Sequence, residues 1–146
     1  MTRLERLTRW LSNAKESVWI VSPYISLEAL QRALEDVPES IDVTVITSWR
    51  PGDLASGVSK PELYELCEER GWKLRADLGD GPFVHIKAYV KDEASALMGS
   101  ANLTNLGMGN LEVGERHNAN IESLVEVGLQ GDEGELLRDS LQKSFS

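Results

Sequence analysis

The chain has 146 residues, of which 41% are hydrophobic and 27% charged, a composition typical of a globular protein rather than a disordered or fibrous one. A chain of this length can bury a core without disulfides or a structural metal, and the single cysteine, Cys67, cannot form an internal bridge. The formal charge of −9 argues against a protein that coats polyanions by long-range attraction. We expect one domain over residues 1–146.

Signals for a membrane or for export are absent from the sequence. The apolar run Val18–Val21 is followed at once by Ser22 and Pro23, so no run approaches the roughly 18 residues that cross a bilayer. The N-terminus is charged throughout and has no apolar centre, which argues against a secretory signal. These features predict a cytoplasmic protein without a membrane span.

Hydrophobic periodicity predicts helices that alternate with strands along the chain. The predicted helices cover roughly the first 14 residues, 26–38, 59–69 with a stop at Gly71, and 132–145. The predicted strands cover 18–21, 41–48, 72–78, 84–91, 94–98 and 121–129. Residues 50–57 and the Gly- and Asn-rich stretch 104–120 are predicted as loops. This order indicates an α/β fold with a mixed β-sheet flanked by helices.

Polar residues gather on the predicted hairpin, where a buried strand pair would otherwise be apolar. Alternation along a strand puts His85 and Lys87 side by side on one face. Ser100 and Asn102 end the next strand and offer a hydroxyl and an amide on alternate positions. An imidazole can act as a nucleophile, and a neighbouring ammonium supplies a fixed charge for an anion. We expect these residues and Asp92 to lie together as a phosphate site.

No carboxylate cluster or second histidine stands at the spacing of metal ligands, which favours a mechanism without a metal or other cofactor. Each part of the pattern is weak by itself, because a His-x-Lys pair can be a solvated strand face and Gly-Ser is common in turns. The complete pattern is more specific. It resembles, without insertion or substitution, the His-Lys-Asp signature of the phospholipase D superfamily, carried here by His85, Lys87, Asp92, Gly99, Ser100 and Asn102.

The order of elements from Val18 onward, with the strand exit at Ser22-Pro23-Tyr24, also resembles that family and implies a phospholipase D-like sheet. The resemblance implies that His85 attacks phosphorus to give a covalent phosphohistidine. It further implies that Lys87, Asn102 and Ser100 hold the phosphoryl oxygens. The motif aspartate is often structural in this family, so Asp92 and Gly99 are assigned to the structural part of the motif.

A carboxylate that orients the nucleophile is implied further along the chain. Asn120-Ile-Glu122 resembles the family's Asn-x-Glu, whose carboxylate holds the far nitrogen of the histidine. Glu122 is the first candidate, and Glu126, four residues later on the predicted strand, is the alternative. A solvated strand carboxylate with no such role is also compatible with the sequence.

The signature occurs once, whereas many phospholipase D enzymes carry two copies in one chain. One histidine cannot be both nucleophile and leaving-group acid, and His117, which no Lys and Asn follow at motif spacing, is interpreted as an exposed loop residue. Single-motif members of the family pair two protomers about a twofold axis. The same arrangement predicts a homodimer with one His85 from each chain in a shared cleft.

The four tryptophans divide into two groups. Trp49 and Arg50 follow the second predicted strand, at the edge of the sheet where α/β proteins commonly bind ligands, and are candidate substrate contacts. The other three fall on apolar faces and are predicted to be core residues: Trp10, Trp19 and Trp72.

The leading hypothesis is a nuclease that cleaves DNA or RNA without a metal, as part of a restriction or defence system, because the small single-motif proteins that it resembles are mostly nucleases. A phospholipid phosphodiesterase would use the same residues, but no amphipathic basic helix for membrane docking is evident. A third possibility is a non-catalytic module that binds nucleic acid or dimerises within a larger assembly.

Overall fold

The computed structural model describes residues 2–56, 61–77, 87–100, 102–104, 108, 124–131, 135, 136 and 139. Its helices are α1 (Arg3–Leu11), α2 (Leu27–Ala33), α3 (Pro51–Ser56) and α4 (Glu62–Arg70). Its strands are β1 (Ser17–Val21), β2 (Asp42–Ser48), β3 (Lys73–Asp77), β4 (Ala88–Lys91), β5 (Ser95–Gly99) and β6 (Leu124–Gly128). Residues 135, 136 and 139, within the predicted last helix, are helical.

The six strands form one sheet in the order β3-β2-β1-β4-β5-β6. Strand β1 is parallel to β2, and β2 is parallel to β3, as right-handed crossovers through helices allow. Strand β4 runs antiparallel to β1, and the hairpin β4-β5 and strand β6 continue the antiparallel half. The prediction of an α/β fold with a mixed sheet is therefore confirmed.

The helices α1, α2 and α4 pack on one face of this sheet, because successive strand residues point to opposite faces and one set is consistently apolar. Val18, Ile20, Tyr89 and Leu97 from the strands join buried leucines of these helices in the main core. A smaller cluster lies on the opposite face and contains Val21, Ile46, Ala88, Val90, Ala96 and Leu129. We call the face that carries α1, α2 and α4 the helical face.

Local sequence signals fix where the helices begin and end. Thr2 and Glu5 form a capping box at α1: the Thr2 hydroxyl accepts a hydrogen bond from the Glu5 N–H at 3.0 Å, and the Glu5 carboxylate accepts one from the Thr2 N–H at 3.3 Å. Ser26, the predicted cap of α2, accepts from the Ala29 N–H at 3.4 Å. Gly71 ends α4 with φ of 73°, a left-handed conformation that suits glycine.

The predicted loop at residues 50–57 is wrong, because Pro51–Ser56 forms helix α3. Pro51 stands at the first helical position, where a proline needs no N–H partner and already has a helical φ. The first helix is also shorter than predicted and ends at Leu11. Ser59, the predicted cap of the third helix, lies outside the described residues.

The predicted core tryptophans Trp10, Trp19 and Trp72 are half-buried: Trp10 and Trp72 pack against the main core, and Trp19 packs against the smaller cluster. Among the described helices, none is long and apolar enough to cross a membrane.

Candidate active site

Several of the predicted site residues meet at one edge of the sheet. Val21, the last residue of β1, pairs with Ile46 of β2 and with Ala88, the first residue of β4. Ala88 in turn pairs with Met98, near the end of β5. Strands β1 and β5 therefore end, and β4 begins, at the same edge of the sheet. We call this edge the site edge.

Lys87 stands at the site edge, directly before β4. Its carbonyl accepts a hydrogen bond from the Gly99 N–H at 3.3 Å, which extends the β4-β5 ladder by one pair. Alternation places Lys87 on the same face as Tyr89, a main-core residue, and Lys91, so its half-buried side chain lies on the helical face. The chain thus holds Lys87 at the end of the β4-β5 hairpin where the exposed Ser100 follows β5.

Asn102 follows at the same edge and is held by the segment that leaves β1. Leu103, its neighbour, forms a parallel bridge with Ile25, and the Leu103 carbonyl accepts a hydrogen bond from the Ser26 N–H at 2.9 Å. The Asn102 carbonyl accepts from the Thr104 N–H at 2.8 Å, which closes a tight turn. The half-buried Asn102 is therefore fixed by backbone contacts on its C-terminal side.

Ser22 is a residue that the sequence analysis did not assign to the site. It is fully buried, and its hydroxyl donates to the Tyr24 carbonyl at 2.8 Å and accepts from the Leu103 N–H at 3.0 Å. The Asn102 side-chain oxygen Oδ1 lies 3.4 Å from the same hydroxyl. The sequence feature that could have indicated this role is a serine followed by a proline directly after a buried strand. At such a turn a hydroxyl can form hydrogen bonds with nearby backbone groups.

Trp49 and Arg50 also reach the site edge, because they follow β2. The Trp49 ring packs against the main core, and its buried indole nitrogen Nε1 has no hydrogen-bond partner among the described residues. The Arg50 carbonyl accepts the Leu54 N–H at 3.1 Å and so begins α3. The structure places both residues at the predicted edge, and their contact with a substrate stays a prediction.

Asp92 does not lie with the other motif residues, which corrects the expectation of a single cluster. Strand β4 separates it from Lys87 by five residues, about 17 Å at the rise of a β-strand. Its carboxylate oxygen Oδ1 accepts backbone N–H bonds from Lys15 at 3.0 Å, Glu16 at 2.7 Å and Ser17 at 3.1 Å. Asp92 therefore binds the start of β1, at the edge of the sheet opposite the site.

The environment of Asp92 lowers the pKa of its carboxyl group. Partial burial raises this pKa, but the backbone hydrogen bonds from Glu16, Ser17 and Lys15 and the nearby charge of Lys91 together outweigh it. Asp92 also adopts φ of 55° in the turn between β4 and β5, a left-handed conformation that aspartate tolerates better than most residues. Hydrogen bonding and the nearby charge of Lys91 thus favour the ionised carboxylate, and the turn geometry favours an aspartate at this position.

Glu126, the alternative orienting carboxylate, lies in the middle of β6 opposite Leu97 and on the helical face. Its carboxylate accepts a hydrogen bond from the Trp10 indole nitrogen. The Lys91 ammonium lies 4.4 Å from the centre of the Trp10 ring and donates to the Trp10 carbonyl at 3.2 Å. Glu126 therefore takes part in a contact between β6 and α1.

The sequence predictions that lie outside the described residues include His85, Glu122, His117 and most of the predicted loop 104–120. Leu124, two residues after Glu122, pairs with Gly99 and so begins β6 at the site edge. The roles of His85 and Glu122 remain predictions.

Comparison with known proteins identifies the family. A family model described as cardiolipin synthase, PLD-like domain, matches residues 7–130. This match spans most of the chain, so the protein belongs to the phospholipase D-like family of phosphodiesterases, as the spacing of its motif indicates. No curated protein matches the sequence.

Solved structures with the same fold include NucT from Helicobacter pylori, with 18% identity and a TM-score of 0.64, and the phospholipase D family member Nuc from Salmonella typhimurium, with 17% identity and a TM-score of 0.67. Each alignment covers 97% of this chain and 84% or 85% of the other. Phosphatidylserine synthase from Haemophilus influenzae has 19% identity and a TM-score of 0.58, but the 86% of this chain that aligns covers only 32% of that protein.

Proposed function

We propose that this protein is a metal-independent phosphodiesterase that cleaves DNA or RNA through a phosphohistidine intermediate. The observation that carries the proposal is the meeting of Lys87, Ser100 and Asn102 at one edge of the sheet, where the motif spacing also puts His85. An ammonium group, a hydroxyl and an amide supply the cation and the N–H and O–H donors that phosphoryl oxygens require.

The reaction would proceed in two displacements. A nitrogen of His85 attacks phosphorus, the bond from phosphorus to the leaving oxygen breaks, and a protonated histidine gives that oxygen its proton. The deprotonated histidine then takes a proton from water, whose oxygen attacks phosphorus and releases His85 and the phosphate monoester. Lys87 and Asn102 stabilise the charge on the phosphoryl oxygens in both steps, and Glu122 holds the far nitrogen of His85.

A homodimer supplies the second histidine in this scheme. Each chain carries the motif once, so an acid for the leaving oxygen has to come from another copy. Two chains related by a twofold axis would place one His85 on each side of a shared cleft. The site edge, which holds Lys87 and Asn102, is the face that we expect to meet its symmetry mate.

A nucleic acid is favoured over a lipid because of the share of each similar structure that aligns with this chain. The chain accounts for most of Nuc and NucT but for about a third of phosphatidylserine synthase. A larger restriction or defence assembly could supply this chain with its specificity for a sequence or a strand.

The test is a substrate panel with purified protein. Single-stranded DNA, duplex DNA, RNA, bis(p-nitrophenyl) phosphate and a fluorescent phospholipid are each incubated with and without EDTA, and the products are separated. We expect cleavage of a nucleic acid and of the small diester, unchanged by EDTA, because Lys87 and Asn102 supply the charge stabilisation that a cation would provide. Cleavage of the phospholipid alone would favour the lipid enzyme, and no cleavage of any substrate would favour the non-catalytic module.

A further inference from the structure

We infer that Ser22 is a positioning residue for Asn102. Its hydroxyl fixes the Asn102 amide so that the amide N–H groups can donate hydrogen bonds to the phosphoryl oxygens of the substrate. The inference rests on the proposed function, since it concerns the same site. Ser22 leaves β1 at the centre of the site edge and is 0% exposed, so its hydroxyl does not serve solvent.

The Ser22 hydroxyl oxygen contacts several groups around Asn102. The Ser22 Oγ accepts the Leu103 N–H at 3.0 Å, and this N–H belongs to the peptide bond that follows Asn102. A hydroxyl has one proton to donate, which Ser22 directs to the Tyr24 carbonyl at 2.8 Å, with the Asn102 Oδ1 at 3.4 Å as the second acceptor. One buried side chain therefore holds both the backbone and the side chain of Asn102.

The orientation of the Asn102 amide decides which of its two halves faces the substrate. Phosphoryl oxygens accept hydrogen bonds and do not donate them, so only the Nδ2 side of an asparagine can stabilise them. The Asn102 Oδ1 is turned toward Ser22, which leaves the two N–H groups of Nδ2 for another partner. If the amide were rotated by half a turn, it would present an oxygen to an anion and weaken its binding.

Loss of the Ser22 hydroxyl should therefore act through Asn102. In Ser22→Ala, the Leu103 N–H loses its buried acceptor and the amide loses the group that selects its orientation. We expect kcat/KM for bis(p-nitrophenyl) phosphate to fall about tenfold or more, with the larger part in kcat, because the amide contributes most when charge develops in the transition state.

The matched control is Thr47→Val. Thr47 is a second buried hydroxyl, 1% exposed, that anchors the same chain segment: its Oγ1 donates to the Pro23 carbonyl at 3.0 Å. No described contact joins it to Asn102. Thr47→Val removes one buried hydrogen bond and Ser22→Ala removes at least two, so both should lower the melting temperature, Ser22→Ala by more, but Thr47→Val should retain kcat/KM within about twofold.

The decisive measurement is a double-mutant cycle on kcat/KM. In an Asn102→Ala background, Ser22→Ala should lower kcat/KM by no more than about twofold, because the group through which it acts is absent. Thr47→Val should change kcat/KM by the same factor in both backgrounds. If Ser22→Ala does not fold, as judged by circular dichroism, Ser22→Cys takes its place in the same cycle, since a thiol fills the site and forms only weak hydrogen bonds.

The outcomes separate this inference from the proposed function. Wild-type protein that cleaves no phosphodiester would overturn both. Two results with active wild-type protein would overturn the role of Ser22 and leave the proposed function standing. One is an unchanged kcat/KM in the Ser22 variants, and the other is an equal loss of kcat/KM when the Ser22 substitution is made in the Asn102→Ala background.

Discussion

The indole nitrogen of Trp10 donates a hydrogen bond to the carboxylate of Glu126, and this contact joins helix α1 to strand β6 across 116 residues of sequence. The Trp10 ring also lies below the Lys91 ammonium, so a cation, an aromatic ring and a carboxylate connect α1 with two strands. One oxygen of the Glu126 carboxylate is therefore engaged by an N–H group of α1. The contact therefore favours Glu122 over Glu126 as the orienting group.

The two glutamates give the first prediction. Glu122→Gln should lower kcat by about tenfold or more and shift the pH profile of the reaction, because in the proposed mechanism the carboxylate sets the tautomer and the basicity of His85. Glu126→Gln should leave kcat within about twofold and lower stability by at most about 1 kcal/mol, as expected for an exposed charged partner. Rates and melting curves of both variants are compared with wild type. A loss of rate in Glu126→Gln alone would reverse the assignment.

Asp92 gives a prediction about stability. Asp92→Ala removes the acceptor of three backbone N–H groups and places alanine at a positive φ, so we expect a loss of about 1–3 kcal/mol in the free energy of unfolding. Asp92→Asn retains an amide oxygen and tolerates the left-handed conformation, so its loss should be smaller. Urea denaturation measures both variants. Activity per folded molecule should not change, and a large drop in Asp92→Asn would show that this residue takes part in the reaction.

The lowered pKa of Asp92 also predicts how stability depends on pH. Its folded-state pKa lies below the ordinary value of 3.8, so its contribution to stability is complete above about pH 4 and is lost as the pH falls through the lower folded-state pKa. Wild-type protein should therefore lose melting temperature more steeply between about pH 4 and pH 2 than Asp92→Asn does. Parallel curves for the two proteins over this range would contradict the assignment.

The shared cleft gives the fourth prediction. When wild-type and His85→Ala chains are refolded together with an excess of the mutant, most wild-type chains pair with a mutant chain and lack one of the two imidazoles. Activity per wild-type chain should then fall steeply with the fraction of mutant. Light scattering at the assay concentration should give the mass of a dimer. A flat response from a protein of monomeric mass would show that one chain is sufficient.

The strand assignments depended on local signals, and these were adequate for most of the sheet. Val18–Val21 is β-branched and aromatic and is stopped by Ser22-Pro23, so β1 was predictable to within one residue. Pro51 is an ambiguous local signal, because the same residue that breaks a helix interior also starts a helix well. The order of the strands needed the structure, since parallel and antiparallel neighbours of β1 look alike in sequence.

Residues of the candidate site could be predicted where the spacing of a sequence motif points to them. They could not be predicted where the fold brings distant residues together. The motif spacing identified Lys87, Ser100 and Asn102, which the structure brings to one edge. The same spacing could not show that β4 carries Asp92 to the opposite edge. Ser22 and Asn102 are 80 residues apart, and Trp10 and Glu126 still further, so no local pattern could reveal these pairs.

The position of β1 between β2 and β4 has a consequence for synthesis of the chain. Strands β1 and β2 can pair as soon as α2 has formed between them, but the other side of β1 waits until residues 88–91 leave the ribosome. Until then the nascent chain presents an unpaired, apolar strand edge, which is a template for pairing with other chains. Fragments that end before β4 should therefore aggregate, whereas the complete chain covers this edge with its own hairpin.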